Sequence, residues 1–407
     1  MTATTPVVSN PATSDGPGRR VDRHKLVRRH NQRIVFETVL TMGELTRVEI
    51  ASHTGLSKPT VNVLIDELEK MTLVRQVGQR IGPVGRSPVL YAVNPQACAV
   101  VAIDVGAQRI RGGVSDLFGE VLMRLTMDVP RKGDVLDLIA ELARSIPLEA
   151  GLASGATRVV VVSTPGFVDR STGRLSLAQN VRGLTDLPLA NELSQRLGIE
   201  VVVDNDVNLA ALGERRRGCA RDHDNFVFLS VGNGVGLGSV VNGELLRGSR
   251  GAAGEIGYLP LGPDAFDERT RRRGGLEEAA GASGIRAAAR ELHPHFPGTI
   301  LSARPTVEQV FSAAEQGDPL GVELVEREGR LLALAALSVM ATLDPELIVL
   351  GGGVGGNQLL VEPVRRFLAE VAPYPVAVRT SELEESASLF GALAVGLDRV
   401  RAMLLAE

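Results

Sequence analysis

The sequence predicts two folded parts, a small helix-turn-helix domain with a β-hairpin near the N-terminus and a larger two-lobed α/β body behind it. Three observations carry this. Two capped helical segments lie either side of a glycine turn at residues 46–70. From residue 98 onward, short apolar strands interleave with long helical stretches, with glycine turns at the strand ends. The charge is divided in the same place: 13 Lys+Arg face 8 Asp+Glu through Pro95, whereas the remainder carries 31 against 40. A basic front on an acidic body points to an electrostatic partner for the front alone, nucleic acid first.

The chain has 407 residues, enough for two or three domains at about 150 residues each. Aromatics are 3% and tryptophan is absent, which argues against recognition built on stacking platforms. Two cysteines, Cys98 and Cys219, make neither a disulfide framework nor a cysteine-rich metal cage. The longest apolar helical stretch, residues 331–341, is far below the ~20 residues of a membrane span. The first residues are rich in Pro, Ser, Thr and Gly and lack the apolar core of a signal peptide. The expectation is a cytoplasmic protein without a membrane partner.

Residues 1–18 read as a disordered tail. Residues 19–33 hold seven basic residues and one acid, Asp22, and lead into a helical stripe of Leu26, Ile34, Val35, Val39 and Leu40 that breaks at Gly43. Residues 46–53 then read as a short helix, with Thr46 as N-cap and Glu49 completing a capping box. Thr54 and Gly55 supply the turn, and Ser57 caps a second helix that tolerates Pro59 in its first turn. Val61, Leu64, Ile65 and Leu68 form the inner face of that helix. Lys58, Thr60 and Asn62 remain near its exposed N-terminal end, where a recognition helix meets bases and phosphates. Strands at residues 73–77 and 89–93 flank a connection holding Arg80 and Arg86. That is the shape of a wing whose arginines enter a minor groove, or of an ordinary hairpin loop. The candidate DNA contacts are Arg47, Ser57, Lys58, Thr60, Asn62, Arg80 and Arg86, in a domain of residues 19–95.

In the body, strands are expected at residues 100–104, 110–115, 120–128, 158–163 and 201–206. Further strands fall at 226–231, 238–241, 244–246 and 347–350. Helices are expected at 134–144, 207–217, 322–343 and 389–405. Four strand-end features line up. Asp104 precedes Gly106, and Gly166 follows a buried strand. Asp204, Asn205, Asp206 and Asn208 converge where a strand meets a helix. Alternating glycines at 232–238 read as a backbone that approaches phosphates.

On these residues, together with the helix-turn-helix and residues 251–257 (GAAGEIG), the chain resembles the ROK family of sugar kinases and sugar-responsive repressors, the group that includes the NagC/XylR-type regulators. The resemblance implies an actin-like, ribonuclease H-like fold with a sugar cleft between two lobes. It places the smaller lobe at residues 97–205 plus 388–407, and the larger, with a dimerisation surface, at 206–387. It also implies that Asn205 and Asp206 grip sugar hydroxyls, Asp206 being the general base in kinase members, with Gly166, Asn180, Glu255 and Glu277 completing the contacts and Tyr258 offering a hydroxyl. Asp104, Gly106, Gly234, Gly236 and Gly352 would form a weak or vestigial nucleotide site. Two departures stand out. Ala107, Gln108 and Arg109 replace the family's Gly-Thr-Lys at the first phosphate loop. The histidine and three cysteines of the family's zinc site are absent, with Tyr258 and the arginine-rich residues 271–273 in their place, so no zinc or other cofactor is expected.

The resulting expectation is a sugar-responsive transcriptional regulator, a repressor, with a degenerate sugar kinase domain. It would bind double-stranded DNA at a near-palindromic operator as a homodimer or homotetramer, and take a monosaccharide or derivative as effector. The alternative is an ATP-dependent sugar kinase that carries a DNA-binding domain.

Overall fold

The structure, a computed structural model, describes residues 19–80, 87–130, 134–177, 181 and 183–406. The expectations for residues 1–18, Arg86 and Asn180 lie outside the described residues. The chain divides into two compact units, Met1–Ala97 with Arg401–Glu407, and Cys98–Val400.

The first unit runs α1 (Arg19–Met42), β1 (Leu45–Thr46), α2 (Arg47–Thr54), α3 (Lys58–Lys70), β2 (Val74–Gln79) and β3 (Val89–Val93). Its helix starts are written in the sequence. The Glu49 N–H donates to Thr46 Oγ1 at 3.3 Å, and the Thr46 N–H donates to Glu49 Oε2 at 2.9 Å. Gly55, at φ 69°, closes α2 in the left-handed region, where a side chain is disfavoured. Ser57 Oγ accepts the Thr60 N–H at 3.3 Å and starts α3. Val35, Phe36 and Val39 of α1, Ile50 of α2, and Val61, Leu64, Ile65 and Leu68 of α3 are buried. The strands form one antiparallel sheet in the order β1-β3-β2.

The second unit begins with β4 (Ala99–Val105), β5 (Arg109–Ser115), β6 (Val121–Asp128), α4 (Val135–Glu149), β7 (Thr157–Thr164), β8 (Phe167–Val168), β9 (Leu175–Ser176), α5 (Leu189–Leu197) and β10 (Glu200–Asn205). Five of these strands pair in the order β10-β7-β4-β5-β6, while β8 and β9 form a small ribbon. Val101, Ile103 and Val105 alternate into a core with Ile139, Ala143 and Ile146 of α4.

The chain continues through α6 (Asp206–Arg217), β11 (Phe226–Val231), β12 (Val235–Val241), β13 (Glu244–Leu245), α7 (Glu268–Arg273), α8 (Gly275–Ala279), α9 (Gly281–Leu292), α10 (Val307–Glu315) and α11 (Pro319–Leu343). It ends with β14 (Leu347–Gly351), α12 (Gly352–Gly355), α13 (Val361–Val371), β15 (Ala377–Thr380) and α14 (Ala387–Ala406). The second sheet has the order β13-β12-β11-β14-β15. Phe226 and Phe228 pack with Ala210 and Ala211 of α6. Val227, Leu229 and Val231 point to the opposite face, into a core with Leu332, Ala336 and Val339 of α11. The period of two in the sequence is thus read out as two buried faces.

The strand expected from residue 238 begins three residues earlier, inside the glycine run. Val235–Val241 is a strand paired antiparallel to β11, so Gly236 and Gly238 are sheet residues. A Cβ at Gly236 would stand 3.1 Å from Val207 Cγ2, and one at Gly238 would stand 2.6 Å from the Val207 carbonyl oxygen. These glycines let α6 close on β12. Only the turn before Val235 keeps glycines free of the sheet.

Helices α6 and α14 also meet at glycine. A Cβ at Gly391 would overlap the Leu209 carbonyl oxygen, and one at Gly213 the Ala387 carbonyl oxygen. Replacing Gly391 with alanine is predicted to destabilise the protein by at least about 2 kcal/mol, because the obstacle is backbone. Gly298, whose Cβ would meet nothing within 4 Å, is the control; its alanine variant should stay within about 0.5 kcal/mol of the parent in thermal or urea unfolding.

Candidate functional site

The strand ends of the first sheet lie side by side, Asp104 opposite Ser163 and Ser163 opposite Asp204. At the end of β10 the chain turns directly into α6. Asn205 caps that helix, its Oδ1 accepting from the Val207 N–H at 2.9 Å and the Asn208 N–H at 3.0 Å. Its Nδ2 donates to the Gly166 carbonyl at 2.8 Å. Asn205 is therefore largely occupied in building the site, with one amide hydrogen left for a ligand. Gly166, at φ 82°, turns the chain after β7 in a conformation that side chains disfavour.

A cleft of about 430 Å³ opens here, with Gly166, Asn205, Asp206, Glu255, Tyr258 and Glu277 among its lining. Gly106, Gly234, Gly236 and Gly352 border the same cavity, whereas Asp104 lies in an adjoining recess together with Asp206, Arg111 and Gly353. The structure thus brings together all the described sugar-site candidates. Asp206 receives no cationic partner among the described ion pairs. Burial first, and then the charges of Asp104 and Glu255, push its carboxyl from the usual 3.8 up to about 7, against the lowering effect of the Val207 N–H. Burial, and then Glu277, raises Glu255. Burial also raises Glu277, partly offset by the Val235 N–H, which donates to its Oε2 at 3.3 Å. Gly234 leaves room for this carboxylate, since a Cβ there would stand 2.9 Å from Glu277 Oε2. Asp206, pushed up to about 7, can accept or donate hydrogen bonds near neutral pH, and with Glu255 and Glu277 it offers a set of carboxyl groups suited to hydroxyl-rich ligands.

Asp104 is differently placed. Its Oδ1 accepts from Ser163 Oγ at 2.7 Å and Ser388 Oγ at 2.9 Å, and its Oδ2 lies 3.4 Å from Arg111 Nη1. Arg111 also pairs with Glu385. Sequence reasoning missed Arg111 and Ser388, and with reason: Ser388 lies 284 positions from Asp104. Tyr258 is exposed and donates to the Arg272 carbonyl at 3.3 Å. Around it, Arg269 and Arg273 of α7 reach Glu278 of α8 at 2.8 and 3.2 Å, and Arg273 lies 3.7 Å from Glu277.

In the first unit, Ser57, Lys58 and Asn62 are exposed and Thr60 is half-buried. Ser57 and Thr60 are both occupied by the cap, with their hydroxyl oxygens 2.7 Å apart. Arg47 is held internally: its Nε donates to Tyr91 Oη at 3.0 Å, its Nη1 to Asn62 Oδ1 at 3.4 Å and its Nη2 to Asp66 Oδ1 at 2.5 Å. Its guanidinium also sits 4.9 Å from the Tyr91 ring centroid. Arg47 thus braces α3 where the sequence suggested a free contact. Exposed Arg80 pairs with half-buried Glu49 at 2.5 Å, the carboxylate that also completes the Thr46 capping box.

With this geometry in hand, the ROK family profile matches residues 100–399. The chain belongs to the ROK family. A putative xylose repressor of Caldicellulosiruptor sp. (strain Rt8B.4) is 28% identical over 388 residues, covering 91% of this chain and 96% of the relative. A glucokinase of Thermotoga maritima is 30% identical over 314 residues, covering 74% and 98%. Among solved structures, a ROK family transcriptional regulator, homologue of the E. coli Mlc protein, superposes with a TM-score of 0.72 at 23% identity over 93% of this chain and 99% of that one. A ROK hexokinase from Thermus thermophilus gives 0.62 at 30% identity over 75% and 99%. These likenesses establish the ROK actin-like sugar kinase fold.

The raised carboxyl of Asp206 has a sign that can be checked. A carboxyl whose folded value exceeds its unfolded one binds a proton preferentially in the folded state, so ionising it costs stability as pH rises from about 4 through about 7. Asp206→Asn cannot ionise, and its amide oxygen can still accept the Val207 N–H, a bond of 2.9 Å in the parent. The variant should melt a few degrees above the parent at pH 8, with the gap closing towards pH 4 in a thermal-denaturation series.

Proposed function

We propose that this ROK protein is a sugar-responsive transcriptional repressor. Residues 19–95 act as a winged helix-turn-helix on double-stranded DNA, and the cleft around Asp206 takes a monosaccharide or derivative that alters operator binding. The observation that carries the reading is the presence, in one chain, of an exposed capped helix after a tight turn and of a cleft lined by Asp206, Glu255 and Glu277. The similarity to a putative xylose repressor extends over 91% of the chain, whereas the glucokinase match leaves about a quarter uncovered. No helix among the described residues is long and apolar enough to cross a membrane. We read the assembly as a homodimer or homotetramer on a near-palindromic site, since two-fold protein symmetry is matched by repeated half-sites.

The kinase alternative is disfavoured by Asp104. The resemblance puts this carboxylate at the phosphates, yet two serines and Arg111 already occupy it, leaving little capacity for a metal–phosphate group. The reading also includes no zinc. Among the described residues no group of three His, Cys, Asp or Glu side chains is placed to hold a metal, and the arginines of this loop carry no lone pair to offer zinc. Arg–Glu pairs between α7 and α8 tie this loop instead.

Two variants test the two halves. Lys58→Ala should weaken binding to every duplex alike and lower the slope of log affinity against log salt by about one, as loss of a single phosphate contact requires. Asp206→Ala should abolish the change in operator affinity that a monosaccharide produces in the parent. An unchanged sugar titration in that variant, read by fluorescence anisotropy of a labelled operator, overturns the site assignment.

A further inference from the structure

The exposed face of α3 carries one residue that the fold does not use. Val63 is 52% exposed, between the buried residues Val61 and Leu64 on one side of the helix and the exposed Asn62 and Asp66 on the other. A β-branched side chain is a poorer helix former than Ala, Lys or Glu, because its χ1 freedom is lost against the preceding turn. At a buried position that loss is offset by packing; at Val63 it is not. The surrounding face is rigid. Arg47 is fixed by Tyr91 and in turn holds Asn62 and Asp66, while also lying 3.6 Å from Glu69, so the residues flanking Val63 are set in place and the Asp66 carboxylate has a cationic partner.

We infer that Val63 reads the C5-methyl group of a thymine in the major groove. The inference rests on the DNA-binding reading given above. Residues in the first two turns of a recognition helix reach base edges, and Val63 follows Ser57, the cap of α3, by six positions. A branched hydrocarbon offers no hydrogen bond, and among the major-groove edges only thymine presents an apolar group that repays its burial. Asn62, whose Oδ1 is shared with Arg47 and whose amide N–H groups remain available, stands beside it to contact the neighbouring base or phosphate.

The test uses the full-length protein and a duplex enriched by that protein from a random pool. Each thymine of one half-site is replaced in turn by deoxyuridine, which removes only the methyl group, and affinities are measured for the parent and for Val63→Ala. The parent should lose about fourfold at one position, the worth of a single buried methyl group. Val63→Ala should bind the thymine duplex more weakly by a similar factor and be indifferent to deoxyuridine at that position. Its melting temperature should equal or slightly exceed the parent's, alanine being the better helix former, showing that the face is intact. Tight parental binding that is insensitive to deoxyuridine everywhere, or a variant as sensitive as the parent, overturns the Val63 assignment alone. Failure of the parent to enrich any duplex overturns the DNA-binding reading and this inference with it.

Discussion

The organisation of the cleft depends on the cap of α6. Asn205 accepts two backbone N–H groups at the start of the helix and donates to the Gly166 carbonyl across the strand ends. One side chain thereby joins β10, the turn after β7 and the helix that closes on the second sheet. Asp206, the next residue, is carried into the cleft by that geometry, and the glycines of β12 let α6 approach closely enough to keep it there. Its carboxyl is buried near Asp104 and Glu255 with no ion-pair partner among the described residues, and burial first and those charges second move its protonation towards neutral pH. The site is thus a strained electrostatic arrangement held by a well-satisfied backbone, as expected where polar groups are kept for a ligand.

Much of this was legible in the sequence wherever the determining contacts are local. The capping box of Thr46 and Glu49, the Ser57 cap and the Gly55 turn act over three or four residues, and the helices begin and end where those residues stand. The strand at residues 226–231 was legible from its apolar run, and the junction of β10 with α6 falls at 205–206, one residue before the 206–207 that the sequence suggested. In the glycine run at 232–238 the sequence disclosed only one of two physical uses, approach of the backbone to a ligand, and not the approach of a helix to a sheet, which depends on the distant position of Val207. Arg47 and Asp104 were legible as chemistry but not as partners. Tyr91 lies 44 positions from Arg47, and Ser388 lies 284 from Asp104, separations that no local pattern encodes.

Both a putative xylose repressor and a glucokinase are among the chain's relatives. A carboxylate at the end of β4 is retained, yet it is locked into a serine and arginine network. The loop between Tyr258 and Glu277 is retained as well, but it is held by ion pairs between α7 and α8. The carboxyl groups facing the cleft are kept in a form suited to hydroxyl recognition. The cleft and these networks occur in the same chain as an N-terminal unit whose helix α3 is capped, braced and partly exposed.

The claim that ligand and DNA communicate through this molecule is tested most directly by linkage. An effector monosaccharide would be titrated calorimetrically into the full-length protein, alone and saturated with its operator duplex. Coupling between the sites requires the sugar affinity to change on DNA binding by the same factor as the DNA affinity changes on sugar binding, about fivefold or more. Equal sugar affinities with and without DNA would contradict the account.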